Sequence, residues 1–283
     1  DQVVGHGEGD AAEAHARARA TGARVIVGPL IRDDLKRVVA AAADWPDPPT
    51  LALNQLDDGA PLPLSFYTLA LVIEADARAV ARSARNAGAQ TAGVVGSDVP
   101  LQKRFADAFT AEWLLLGGAP PVVLRFGRAP EMLALLRAEL GKIPLDAIVL
   151  AVGGDDVALV KPFVGQTTAY ASSQVNDRPP REPIRDLDDL RFVEVPWLAL
   201  PEEPASARIP RRDYQNAALD RLYALGIDAF RAAQLLAEGG SGRAIEFDGA
   251  TGRVVLDAAT RQLVRTPVLM QFRAGEMVPA GSR

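Results

Sequence analysis

The sequence predicts an α/β protein of two doubly wound lobes. Three observations carry that expectation: the chain length, an alternation of short apolar strands with amphipathic helices, and a restart of that alternation after a proline break. At 283 residues the chain exceeds the usual size of one α/β domain, so two cores are expected. Hydrophobic residues make up 48% and charged residues 24%, the balance of an ordinary globular protein.

The elements follow in order. After an extended piece at Val3-Val4, Asp10 is placed to cap an Ala-rich helix to about Thr21, and Gly22 stops it. Arg24 to Val27 reads as a strand ending in Gly28-Pro29-Leu30. A helix from Arg32 to Ala43 and a strand from Thr50 to Leu53, ending at Asn54-Gln55, come next. Pro61 and Pro63 break the chain before an extended Leu64 to Tyr67, and a helix from Ile73 to Ala87 opens the second lobe. There the spacing predicts strands at Ala92–Val95, Val122–Arg125, Ala147–Leu150 and Thr168–Ala171, the last ending at Ser172-Ser173-Gln174. The intervening helices are expected at Leu101–Leu116, Pro130–Leu140 and Asp155–Phe163. Gln174 to Asp189 has no apolar period and reads as a surface loop, and Arg191 to Val195 as a strand. Pro196 to Pro210 is expected to be irregular. Tyr214 to Ala237 is helical with a break near Gly226, and Ile245–Phe247, Gly252–Leu256 and Pro267–Phe272 are short strands parted by Asp-Gly and Thr-Gly turns.

Several function classes drop out on composition. A net charge of -5 and a pI near 5.2 leave no general electrostatic footprint for nucleic acid. With no cysteine, disulfides, thiolate nucleophiles and Cys-ligated zinc are excluded. No run approaches the roughly 20 apolar residues that span a bilayer, and Asp1 to Gly9 is no signal peptide, so any export signal or lipid anchor is expected upstream. His6 and His15 lack a partner at ligand spacing, which leaves no metal site. Gly5-x-Gly7-x-Gly9 places its third glycine too early for a dinucleotide fingerprint. Ser172-Ser173 and Ser241 lack a nucleophile elbow. The pairs Asp33-Asp34, Asp57-Asp58 and Asp155-Asp156 abut helix starts or turns, where Asp caps free N–H groups and complements the helix dipole. The expectation is a binding module without cofactor or catalysis.

In doubly wound sheets ligands bind outside the carboxyl ends of the strands. Gly28, Pro29, Leu30, Asn54, Gln55, Ser172, Ser173 and Gln174 are therefore the candidate cleft, with Phe66 at a crossing between lobes. Neutral donors and acceptors suit an uncharged polar ligand or a peptide, and Pro29 has no N–H to give. The alternative is that these groups satisfy loop backbone. Arg181, Arg185, Arg208, Arg211 and Arg212 form basic clusters that offer a partner surface, a solvated face being the alternative.

The ordered set Val25-Ile26-Val27-Gly28-Pro29-Leu30, Leu51-Ala52-Leu53-Asn54-Gln55, Tyr170-Ala171-Ser172-Ser173-Gln174, Asp188 to Trp197 and Gly249 to Asp257 resembles the C-terminal domain of the LppC-type lipoproteins, outer-membrane activators of penicillin-binding proteins. The resemblance implies two lobes of the type I periplasmic-binding-protein (Venus flytrap) kind, joined by crossings near Phe66, Val195 and Gly242. Lobe one would hold 1–66 and 196–241, and lobe two 67–195 and 242–283, with Asn54 and Gln174 facing each other. It implies that the first strand and helix of lobe one are missing from this chain. It also implies a non-catalytic envelope domain that binds and activates a class A penicillin-binding protein in peptidoglycan synthesis, in the periplasm and outer-membrane-anchored in the full-length protein. A periplasmic solute-binding protein for an amino acid or small peptide is the other reading.

Overall fold

The computed structural model describes residues 3–5, 10–42, 48–56, 60–177, 185–202, 209–212, 214, 216–239 and 244–281. The chain divides into two compact units, Asp1–Leu71 with Arg221–Thr266 and Val72–Asp220 with Pro267–Arg283. They are called lobe one and lobe two.

Lobe two is built on a seven-stranded sheet, β13-β12-β8-β7-β6-β4-β5. Its parallel part holds β4 (Ala92–Gly96), β5 (Val122–Arg125), β6 (Ala147–Ala151), β7 (Thr168–Ala171) and β8 (Arg191–Glu194). β12 (Val268–Arg273) and β13 (Glu276–Pro279) extend it antiparallel beyond β8. Successive strand residues point to opposite faces, and both faces are apolar because helices cover both. Ala147, Val149 and Ala151 meet α3 (Ile73–Asn86) and α4 (Pro100–Leu115) through Ala77, Val80, Ala81, Phe105, Phe109 and Trp113. Ile148 and Leu150 pack instead with Leu136 and Leu140 of α5 (Pro130–Leu140) and Val157 and Val160 of α6 (Gly154–Val160). The spacing 77, 80, 81, 84 makes one stripe on α3, and small alanines let that helix lie close to the sheet. Pro100 and Pro130 sit in the first turns of α4 and α5, where a missing N–H costs nothing.

Lobe one has a six-stranded sheet, β1-β2-β3-β11-β10-β9. β1 (Ile26–Val27), β2 (Thr50–Ala52) and β3 (Phe66–Thr68) are parallel, while β9 (Glu246–Gly249), β10 (Gly252–Asp257) and β11 (Gln262–Thr266) form an antiparallel meander joined through a single parallel register to β3. One face packs Ala52 and Phe66 against Ala11 of α1 (Ala11–Ala20) and Leu35 and Val38 of α2 (Arg32–Ala41). The other buries Leu51, Tyr67, Phe247, Val254 and Leu263 under the long helix α8 (Ala217–Gly239). Asp10 caps α1 as expected, accepting from the Ala12 N–H at 2.9 Å, and Gly22 stops the chain at φ +75°.

Four expectations need correction. The lobe boundaries differ: 196–220 belongs to lobe two, because Ala199 and Leu200 of the turn α7 (Pro196–Ala199) and its exit pack in that core with Met270. Residues 242–266 belong to lobe one, because β9 to β11 extend its sheet. Phe66 is at neither a crossing nor the carboxyl end of a strand: it begins β3 and is fully buried, and the chain leaves lobe one after Leu71. Glu194 and Val195 lie inside lobe two, and Gly242 falls outside the described residues. α8 runs unbroken through Gly226, since one exposed glycine costs about 1 kcal/mol and the surrounding Leu225, Ala229, Ala232 and Leu236 are buried. Finally, Asp33-Asp34 and Asp155-Asp156 stand in first turns, complementing the dipole, and the caps themselves are Ile31 and Gly153.

Candidate functional site

In lobe one, β1 is followed by Gly28, whose φ of +117° suits only glycine, and then by Pro29 and Leu30. The segment is stapled to the end of β2. The Gly28 N–H donates to Leu51 O at 2.8 Å, and the Leu53 N–H donates to Pro29 O at 2.9 Å. Asn54 completes the staple from both ends of its amide: Nδ2 donates to Leu30 O, and Oδ1 accepts from the Gln55 N–H, each at 2.9 Å. Leu30 and the adjoining Ile31 are exposed at this strand end, and Asn54 and Gln55 are half-buried beside them. Phe66 lies beneath, stacked on His15 with ring centroids 5.7 Å apart.

In lobe two, the segment after β7 is pinned by neighbours on three elements. Ser173 Oγ donates to Asp76 Oδ2 on α3 at 2.9 Å, Gln102 Nε2 on α4 donates to Gln174 Oε1 at 2.7 Å, and Asn176 Nδ2 donates to Glu194 Oε2 at the end of β8 at 2.8 Å. Glu194 Oε1 also accepts from the Val195 N–H at 2.9 Å. Gly154 lies so close below that a Cβ there would fall 2.2 Å from Gln174 O. Ser172 is buried. Around this segment Arg104 pairs with Glu74 at 2.6 Å and Arg128 with Asp156 at 2.6 Å, and Arg125 pairs with Asp98.

The sequence-predicted polar residues thus occur at strand ends, and Asn54, Ser173 and Gln174 use side-chain atoms to hold their own loops. Asp76, Gln102 and Glu194, which do the holding in lobe two, were not singled out in the sequence; each is distant in sequence from its partner or lies on another element, so no local pattern marks it. Among the described residues no group of three or more His, Asp or Glu side chains is arranged to hold a metal ion. No helix among them is long and apolar enough to cross a membrane.

Of the basic residues, Arg211 and Arg212 are exposed, and the Arg211 guanidinium lies 4.2 Å from the centroid of the buried Trp197 ring, a cation–π contact that fixes its position. Arg185 begins a 3-10 turn, Arg185–Leu187. Arg181 and Arg208 lie outside the described residues, as do the glycines 7 and 9, His6, Asp57-Asp58 and Ser241. Two further titratable groups stand out. Burial, with a smaller contribution from Arg19, lowers the His15 pKa to about 4, and its Nε2 lies 2.9 Å from Thr50 Oγ1. Asp228 on α8 is buried, and its carboxylate accepts from the N–H groups of Ala250 and Thr251 and from Thr251 Oγ1. Burial pushes that carboxyl above its usual range against the pull of these bonds and of Arg231.

Two lobes of mostly parallel sheet flanked by helices define an α/β protein of the periplasmic-binding-protein-like class, and solved structures agree. The C-domain of LpoA (YraM) from Haemophilus influenzae, described as a regulator of PBP1A, superposes with a TM-score of 0.83 over 99% of this chain and 89% of that one, at 22% identity, a likeness of fold. A structure described as a "putative branched-chain amino acid ABC transporter" from Chromobacterium violaceum superposes with a TM-score of 0.79 at 33% identity, covering 91% of this chain and 83% of that one. The chain belongs to the LppC family: the profile described as "LppC putative lipoprotein" matches residues 11–140 and 127–275. Similar curated proteins include the penicillin-binding protein activator LpoA of Klebsiella pneumoniae, 28% identical over 94% of this chain and 42% of that protein, and that of Escherichia coli K12, 26% identical over 91% and 44%. The chain spans about two-fifths of the length of these relatives.

Proposed function

We propose that this domain is a non-catalytic regulator of the cell envelope that binds and activates a class A penicillin-binding protein, acting through its surface and not through a captured solute. That the partner is a penicillin-binding protein and the role activation is supported by the names of its relatives, and the narrower choice of class A follows the family resemblance. The observation that carries the choice of surface over solute is the internal commitment of Asn54, Ser173 and Gln174. A zwitterionic amino acid needs donors for its carboxylate and an acceptor for its ammonium, and a poorly matched buried group costs about 1–3 kcal/mol. The atoms of Asn54, Ser173 and Gln174 that are already engaged on their own loops supply neither without giving up those bonds. In the full-length protein the domain works in the periplasm, tethered to the outer membrane by a lipid anchor.

The contact surface is assigned to the basic segments bearing Arg181, Arg185, Arg208, Arg211 and Arg212. Arg is favoured at contact hot spots, and Arg211 is held in place on Trp197, so less side-chain freedom is lost on binding. The test is a binding titration against a purified class A synthase. Arg211→Glu with Arg212→Glu should weaken binding at least tenfold with the fold intact, and undiminished binding removes that surface from the proposal. The other reading, a solute-binding protein, draws on the name of the Chromobacterium violaceum structure. Calorimetry showing submicromolar binding of a free amino acid, lost in Asn54→Ala, would favour it.

A further inference from the structure

We propose that His15 is an acid-operated latch, holding α1 against the lobe-one sheet when neutral and releasing it when charged. The inference is independent of the proposed partner. It begins with the face of that helix that meets the sheet. The buried face of α1 is Ala11, Ala14 and His15, at the i, i+3, i+4 spacing of one helical stripe. Ala11 packs with Leu35 and Val38 of α2, and His15 is the one large side chain on the buried face. Its ring stacks on Phe66 of β3 at 5.7 Å with an interplanar angle of 24°, and Nε2 reaches Thr50 Oγ1 at the start of β2, 2.9 Å away. One imidazole thus joins α1 to two parallel strands.

The surroundings favour the neutral ring. His15 is 6% exposed. From its own helix Arg19 adds a positive charge that opposes protonation, while Glu13 and Arg17 pair with each other at 3.1 Å on the exposed side. From α2, packed beside α1, Asp34 is buried and engaged by Arg37 at 3.2 Å, with Asp33 and Lys36 exposed. β2 and β3 contribute Thr50, Phe66 and no charged side chain.

The imidazole therefore titrates at about 4 when α1 is docked and near 6.5 when it is free. A base with a depressed folded pKa contributes its full stability above 6.5 and loses it as the pH falls from 6.5 towards 4. Those two values shift the α1 opening equilibrium about thirty-fold between pH 7.5 and pH 5.0.

Hydrogen exchange, corrected for intrinsic rates, tests this on the whole chain at the two pH values. Amides of 11–20 should lose about thirty-fold in protection in the wild type, while those of β2, β3 and α8 keep theirs. His15→Gln should abolish the pH response. Unchanged protection in α1, an equal loss in α1 and the strands, or the same response in His15→Gln overturns the latch. Should the variant not fold, the wild-type exchange still decides, together with a ring titration by NMR. There the two histidines are told apart with His6→Gln, and a His15 midpoint at 6 or above overturns it.

Discussion

Asp228 ties the middle of α8 to the turn between β9 and β10, and its removal should cost lobe one more than any surface change. Its two oxygens take the Ala250 N–H at 2.7 Å, the Thr251 N–H at 2.7 Å and the Thr251 hydroxyl at 2.5 Å, with all three residues almost fully buried. Gly249 leaves room for this: a Cβ there would lie 2.5 Å from Oδ1. Asp228→Ala leaves these donors buried without an acceptor, at roughly 1–3 kcal/mol each, and offsets part of that by removing a desolvated carboxylate. The net expectation is a loss of about 3–5 kcal/mol. Thr251→Val, which removes one donor and keeps the shape, should cost about 1 kcal/mol alone and markedly less on top of Asp228→Ala. Urea unfolding followed by circular dichroism measures these changes. With a separate core in each lobe, unfolding need not be one transition, so exchange protection in β9 to β11 is measured alongside. A stability for Asp228→Ala within about 0.5 kcal/mol of the wild type, the scatter of ordinary surface substitutions, would mean that Asp228 does not tie α8 to the turn.

Two further outcomes concern lobe two. Gly118→Ala would place a Cβ 2.1 Å from Trp113 Nε1 and should break the bond from that atom to Ala119 O, costing about 2 kcal/mol and shifting the tryptophan emission to the red; unchanged emission and melting would count against the packing described. Leu136→Ala, fully buried on α5, should lower stability by about 2–5 kcal/mol, whereas its exposed neighbour Leu135→Ala should cost under about 1 kcal/mol, and equal losses by thermal melting would contradict the face assignment.

The alternation of elements was legible because parallel strands such as Ala147–Ala151 are short apolar runs bounded by Asp and Gly, and because stripes such as Ala77, Val80, Ala81 and Ala84 repeat at helical spacing. Lobe membership was not legible for β9 to β11. The alternation in β10 says that one face is buried, not which sheet the strand joins, and only the pairing of β11 with β3 decides it. The strand-end residues could be found by rule, but their state could not: Gln174 meets Gln102 across 72 residues, and Ser173 meets Asp76 across 97. His15 was judged by its lack of nearby ligand residues, while its actual contacts, Thr50 and Phe66, lie on strands that carry no local sign of them. Gly226 misled for an energetic reason, since a local helix penalty is small beside the burial of the helix around it.

The most direct measurement of the central claim is the rate of peptidoglycan synthesis by a purified class A penicillin-binding protein titrated with this chain and two variants. The rate should rise saturably with the wild type and equally with Asn54→Ala, and little or not at all with Arg211→Glu and Arg212→Glu combined. No stimulation by the folded wild-type chain, or stimulation abolished by Asn54→Ala and retained by the charge reversals, would contradict it.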